Sequence, residues 1–363
     1  MTPDTAHSTG HARAANAGTR LRVLMFCPQF APAIGGAERQ AEKLGKALCT
    51  RGVDVRILTP RLDWASASDE RIDGVLPVKR FVLSDWSKRF PWLRGIGLIN
   101  APWIALQIFW RVWREAGNAD IVHCHIGSLQ TVAAAYAARV RGLPVICKAA
   151  MADDRGDLGE AAKLGRIGQL VAKLGRTAFT QWIATTQAVR DALLRAGVDE
   201  SRILVIPNGV ELLDPRARHP FATVRRFLYL GRLSTNIERD LPGLLRAFDA
   251  VADQLADAEL ALVGGGDLLE QTRSLAQACR NASRIRVMGP GNPVEWLTWA
   301  DCFVLPSRRE GLSNALLEAM AAGLPCIAND IPPNREVLAG GEAGMLVPVA
   351  DVEQLQAAML RCA

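Results

Sequence analysis

The sequence predicts an α/β protein of two domains, each a parallel sheet flanked by helices, facing each other across a cleft. Three observations lead there. The chain has 363 residues, more than the roughly 100 to 200 residues that one domain commonly holds. Short apolar, β-branched runs alternate with stretches of helical period, the pattern of repeated βαβ units. The alternation occurs twice, and a turn-rich polar stretch separates the two series.

Residues 1–20 are rich in Ala, Thr, Gly and His and lack an apolar run of signal-peptide length. They predict a mobile tail and give no support for export. His7 and His11 are then exposed residues of that leader. Strands are expected at 21–27, 53–59, 121–126, 144–148, 182–185 and 203–206 in the first series. The second series gives 226–230, 259–263, 284–288, 302–305, 325–328 and 345–347. Between them lie Pro207-Asn208-Gly209-Val210 and the polar run from Asp214 to Pro220, which suit a hinge. This sets a boundary near residue 215, with domains at 21–214 and 215–363.

Composition narrows the class. Hydrophobic residues make up 49% and charged residues 22%, the balance of a compact globular protein and too apolar for a disordered one. Eight cysteines lie scattered, with no Cys-x-x-Cys pair. They read as reduced, buried thiols of a cytoplasmic protein.

Open parallel sheets bind ligands outside the carboxyl ends of their strands, so chemistry is expected in the loops that follow strands. The first such loop holds Gly35 and Gly36 ahead of a helix reaching about Cys49. Adjacent glycines admit close backbone approach, and the free amides of a helix amino end suit phosphate or sugar oxygens. The same pair also serves as ordinary loop geometry, and it is not the Gly-x-Gly-x-x-Gly of a nicotinamide-binding turn. The strand around His123-Cys124-His125 places both histidines on one face, with His125 nearest the cleft. His125 could position a sugar hydroxyl; His123 reads equally as a buried structural residue, and no third ligand makes the pair a metal site.

The second half is the more informative. Arg232 follows a strand and Arg239 lies just beyond, so two cations can meet a diphosphate and stabilise the charge developing on a leaving group. Gly264 belongs to a Gly-Gly-Gly turn after the next strand. Glu310, Gly311, Leu312 and Ser313 lead into another helix, whose first amides point at the same anion. Glu310 can accept from sugar hydroxyls, and Glu318, further into that helix, from both hydroxyls of a ribose. By spacing alone the two carboxylates read equally as a solvated pair.

These residues together resemble the GT-B retaining glycosyltransferases, in particular glycosyltransferase family 4 (glycosyl transferases group 1). The resemblance runs through Gly35-Gly36, the 120–125 strand, Ala184-Thr185-Thr186, Pro207-Asn208-Gly209-Val210 and Gly231-Arg232-Leu233. It ends in Glu310 to Gly323, whose Glu-x7-Glu stretch closes on Glu318-Ala319-Met320-Ala321-Ala322-Gly323. It implies two Rossmann-like domains facing across a cleft, a nucleotide-diphosphate sugar as co-substrate and no cofactor or metal. Glu310 would contact the donor sugar, Glu318 the ribose, and Arg232 and Arg239 the diphosphate. Arg239 stands where the family commonly has a lysine. Gly289 to Asn292 would hold the base through backbone atoms. No Asp-x-Asp motif stands beside the arginines, in keeping with cations and a helix end replacing a divalent ion.

The acceptor is expected to be a glycan or a lipid-linked molecule. Residues 79–115 carry seven Lys or Arg against two acids and five of the nine tryptophans, a composition that suits an anionic membrane surface. Asn100, Pro102, Gln107 and Arg111 interrupt its apolar stretch, which reads as a docking or core helix and not a span. Residues 163–176 form a second basic amphipathic stretch, with Leu164, Ile167, Leu170, Val171 and Leu174 expected on one side. The expected location is cytoplasmic, peripheral on the inner face of the cytoplasmic membrane. Nucleic acid is not an expected partner, since the charges accompany bulky apolar residues and no reading motif. A nucleotide-sugar epimerase of the same fold and a non-catalytic nucleotide-sugar binding protein are the competing readings.

Overall fold

The computed structural model describes residues 20–32, 35–62, 65–90, 92, 96–152, 165–212, 223–235 and 238–363. The expected tail and the expected boundary at residue 215 lie outside the described residues.

The first domain runs β1 (Arg22–Phe26), α1 (Gly36–Thr50), β2 (Asp54–Pro60), β3 (Asp69–Ile72), β4 (Leu76–Phe81), α2 (Trp86–Arg89), α3 (Ile96–Glu115), β5 (Ile121–His125), α4 (Leu129–Val140), β6 (Val145–Lys148), α5 (Gly165–Ala178), β7 (Gln181–Ala184), α6 (Gln187–Arg195) and β8 (Ile203–Val205). Its sheet has the order β3-β4-β2-β1-β5-β6-β7-β8, parallel except for the β3–β4 pair. All six expected strands are present. The two unforeseen ones sit at one edge. β3 reads Asp-Glu-Arg-Ile with its side chains largely outside, so it shows no apolar run. β4 buries Leu76, Val78 and Phe81.

The second domain runs β9 (Arg226–Leu230), α7 (Leu241–Ala252), β10 (Glu259–Val263), α8 (Leu269–Gln277), β11 (Ile285–Met288), α9 (Pro293–Trp299), β12 (Cys302–Leu305), α10 (Asn314–Ala321), β13 (Cys326–Asn329), α11 (Pro332–Val337), β14 (Met345–Val347) and α12 (Val352–Cys362). Its six strands, all parallel, have the order β11-β10-β9-β12-β13-β14 and match the expected set. The central strands are continuous apolar runs because both of their faces are covered. Phe227 and Tyr229 of β9 point into one cluster, Leu228 and Leu230 into the other.

On the first domain α4 packs between α3 and α5. The polar residues that interrupt α3 have local work. Asn100 accepts from the Trp86 amide at 2.8 Å and donates to Asp85 at 2.8 Å, and Gln107 accepts from the Ser84 amide at 2.8 Å. Two of the basic residues counted as surface are engaged elsewhere. Arg80 is buried in an ion pair with Glu70 at 2.6 Å, and Lys79 pairs with Glu115 at 2.8 Å. α5 also departs from expectation: it buries Gly168, Val171, Ala172, Gly175 and Ala178 and turns Leu170 and Leu174 outward. Small residues let this helix approach α4 closely, so its bulky apolar side chains are left outside. Leu164 and the Ile167 side chain lie outside what is described. Among the described residues no helix is long and apolar enough to cross a membrane.

Candidate active site

The carboxyl ends of β1, β5, β6, β9 and β10 open onto one cavity of about 730 Å³ between the domains. Gly35, Gly36, His125, Arg232, Arg239, Gly264, Glu310, Gly311, Leu312, Ser313 and Glu318 all line it. Gly289 does not; its neighbours Pro290 and Gly291 do.

The second-domain wall is two interlocked loops. Gly231 and Leu233 bond the 263–265 turn through Gly231 N to Val263 O at 3.0 Å and Leu233 N to Gly265 O at 2.9 Å. Gly264 has φ +156°, and a Cβ there would meet Gly231 O at 1.8 Å, so only glycine lets the loops close. The Tyr229 hydroxyl, from within the core, donates to Arg232 O at 2.9 Å and steadies the turn. The Arg232 guanidinium lies 3.4 Å from the Glu38 carboxylate of α1, across the cleft.

Residues 238–240 run antiparallel to 306–308, with Arg308 N on Glu238 O and Asp240 N on Pro306 O, each at 2.8 Å. This strip carries Arg239 back to Ser307 and to the Glu310 carboxylate, with which it forms an ion pair. The Ser307 hydroxyl donates to the same carboxylate at 3.1 Å. Burial opposes the Arg239 charge, but Glu310 more than offsets it, so the guanidinium holds its proton more firmly than usual. Arg239, expected at the diphosphate, and Glu310, expected at the donor sugar, are thus partners: two opposite charges in one desolvated pocket pair with each other.

Ser313 caps α10 by accepting from the Leu316 amide at 3.4 Å. Glu318, on that helix, lies 3.2 Å from Lys43 of α1. Further links close the domains on one another. Asn314 donates to Gly36 O at 3.0 Å and accepts from Asn208 at 2.7 Å. Thr186 donates to Gly311 O at 3.1 Å, and the Gln187 amide donates to Glu336 at 2.8 Å.

The first-domain wall holds His125, stacked on His123 with ring centroids 4.7 Å apart. Both are buried, and burial together with the nearby Lys148 charge keeps both neutral. His123 falls from 6.5 to about 4, and His125 falls well below its usual value, with His123 adding to its shift. His123 does not reach the cavity, whereas Lys148 does.

Glu38, Lys43, Lys148 and Asn314 were given no role from the sequence, and Thr186 entered only within the Ala184-Thr185-Thr186 run. Glu38, Lys43 and Thr186 act from the first domain on partners in the second, and only closure of the domains brings them together. Among the described residues no group of three or more His, Cys, Asp or Glu side chains is disposed to hold a metal ion.

Comparison with known proteins agrees with this fold. The model of Glycosyltransferase Family 4 matches residues 34–212, and that of Glycosyl transferases group 1 matches residues 224–363. Phosphatidyl-myo-inositol mannosyltransferase of Mycobacterium leprae is 26% identical over 354 residues, covering 94% of this chain and 87% of that protein. The GDP-mannose:cellobiosyl-diphosphopolyprenol alpha-mannosyltransferase of Komagataeibacter xylinus is 26% identical over 342 residues, covering 90% and 80%. Anabaena HepE, solved in complex with UDP-glucose, shares the fold with a TM-score of 0.67 at 16% identity, over 94% of this chain and 90% of that one. The chain is a glycosyltransferase of GT-B fold and belongs to glycosyltransferase family 4.

Proposed function

We propose that the enzyme moves a hexose, with retention of anomeric configuration, from a nucleotide-diphosphate sugar to a lipid-linked or glycan acceptor at a membrane surface, in glycolipid or polysaccharide synthesis. The observation that carries this reading is the convergence on one cavity of Arg232, the Arg239–Glu310 pair, the amino end of α10 and Glu318. In this reading the diphosphate lies against Arg232 and the first amides of α10, which stabilise its charge as it leaves. Arg239 adds its field and fixes Glu310 toward the sugar; Glu318 exchanges Lys43 for the ribose hydroxyls. Gly35 and Gly36 approach the donor from the facing domain, and the backbone of Pro290 and Gly291 lies against the base.

The acceptor hydroxyl attacks the anomeric carbon on the face the leaving group departs from. The bond between that carbon and the phosphate oxygen breaks, a new carbon–oxygen bond forms, and the hydroxyl proton passes to the departing phosphate. No protein base and no divalent ion are needed in this scheme, and neutral His125 orients a hydroxyl. The names of the two mannosyltransferases, one for phosphatidyl-myo-inositol and one for a diphosphopolyprenol, favour an acceptor of that kind.

Exposed Ile99, Leu106 and Trp110 of α3 and Leu170 and Leu174 of α5 lie on helices that also expose Arg111, Arg114, Arg166, Lys173 and Arg176. Apolar side chains among cations favour docking on anionic lipid headgroups at the inner face of the membrane. The test is product analysis with labelled uridine, guanosine and adenosine diphosphate sugars and a membrane lipid extract. A labelled lipid or glycan product with the donor's anomeric configuration is expected. Donor conversion without acceptor would point to an epimerase, and no conversion of a bound donor to a binding protein.

A further inference from the structure

The cavity holds a cation on its first-domain wall that the scheme above leaves without a role. Lys148 closes β6, in register with His125 of the neighbouring β5, so the two side chains leave the sheet on the same face. Both line the cavity. Of the other guanidinium or ammonium groups lining the cavity, Arg232 pairs with Glu38, Arg239 with Glu310 and Arg309 with Glu238 at 3.6 Å, while Arg39 of α1 makes no ion pair among the described residues. Among the described residues Lys148 has no carboxylate partner, and its near neighbours are two neutral imidazoles whose Nε2 atoms are buried without a hydrogen-bond partner.

A half-buried ammonium without a partner is costly to the fold, because desolvation is not repaid by any counter-charge. Burial lowers its pKa from 10.5 to about 8, which still leaves it charged at neutral pH. Such a residue stabilises nothing in the protein alone, and its position explains what it can do. The residues after it lead straight to the sugar-side turn: Ala152 N donates to Glu310 O at 3.3 Å, and Ala150 O lies where a Gly311 Cβ would fall. The ammonium therefore stands on the first-domain side of the reacting groups, opposite the arginines assigned to the diphosphate.

We propose that Lys148 is a specificity-determining residue that binds an anionic oxygen group, carboxylate or phosphate, carried by the transferred sugar or by the acceptor. His125, neutral and with its Nε2 unpartnered, completes the same subsite as a hydrogen-bonding partner, with His123 stacked behind it. This inference rests on the transferase reading and adds a second anion site to it, distinct from that for the diphosphate.

The test is calorimetric titration of wild type, Lys148→Met and Lys148→Arg. UDP and GDP report the diphosphate site. UDP-glucose against UDP-glucuronate reports an anion on the sugar. Butyl phosphate against butanol, added with saturating nucleotide, reports an anion on the acceptor. All three proteins should bind the nucleotides alike. K148M should lose at least tenfold in affinity for the charged member of one of the two pairs and nothing for the neutral member, and K148R should retain most of it. Without ligand, K148M should melt no lower than wild type. Equal binding of both charged probes by wild type and K148M, or a K148M protein that melts well below wild type, overturns the proposal. Failure of the nucleotides to bind while a charged probe still depends on Lys148 would instead overturn the transferase reading and leave this subsite standing.

Discussion

Arg239 and Glu310 form an ion pair beneath the cavity with side chains only 10% and 11% exposed, and a strip of backbone pairing between 238–240 and 306–308 holds them there. Breaking such a pair from one side strands a charge in a poorly solvated place, at about 3 kcal/mol or more, whereas replacing both partners by apolar residues is close to neutral. Arg239→Met should therefore lower unfolding stability by about 3 kcal/mol in denaturant titrations. The Arg239→Met, Glu310→Leu double variant should recover most of it. Transfer should fall more than a hundredfold in both, because stability and chemistry draw on the pair differently.

At Gly311 the backbones of the two domains come together. A Cβ at this position would lie 1.8 Å from Ala150 O, and backbone cannot yield as a side chain can. Gly311→Ala should push the domains apart while leaving each core intact. We expect stability within about 1 kcal/mol of wild type and a larger radius of gyration by solution scattering. Transfer should fall by about a hundredfold, the effect of displacing reacting groups by an ångström. Unchanged turnover would show that this contact does not govern the site.

His123 gives the fold a pH dependence of definite sign. Burial first, then the Lys148 charge, lower it from 6.5 to about 4. Below pH 6.5 the unfolded chain takes up a proton that the folded chain refuses until about pH 4, so its neutral burial stabilises above 6.5 and that stability is lost as pH falls. The slope from this group is about 1.4 kcal/mol per pH unit. Denaturant midpoints measured between these pH values should fall more steeply for wild type than for His123→Gln. Parallel curves would contradict the assignment.

The outward Trp110, Leu106, Leu170 and Leu174 give a binding surface that salt should weaken. Wild type should sediment with vesicles containing phosphatidylglycerol at low salt and be released at high salt. Leu170→Ser with Leu174→Ser should reduce binding severalfold with little loss of stability, since both side chains already face solvent. Equal binding to neutral phosphatidylcholine vesicles would exclude the electrostatic part of the account.

Strands such as Phe227 to Leu230 and Cys302 to Leu305 were legible because an apolar run buried on both faces can hardly be anything else. The edge strand at Asp69–Ile72 was not: it earns its place by pairing with β4 and keeps polar side chains outside. The apolar side of α5 was misjudged for a related reason, since period shows amphipathicity but not that Gly168 and Gly175 draw the helix in along a different line. Arg232, Glu310 and Glu318 were legible from local motif, each on a loop or helix following a strand. Their partners Glu38, Arg239 and Lys43 were legible as charges but not as partners: Glu38 and Lys43 pair across a cleft through domain closure that no local pattern encodes, and Arg239 meets Glu310 through pairing of two loops some seventy residues apart.

The central claim is that Arg232 and the amino end of α10 hold the diphosphate of a sugar nucleotide, and its most direct measurement is calorimetric titration of UDP and GDP into wild type and Arg232→Met. The account predicts that wild type binds at least one of them and that the folded variant binds it at least thirtyfold more weakly, a loss of about 2 kcal/mol. Equal affinity in the two proteins would contradict it.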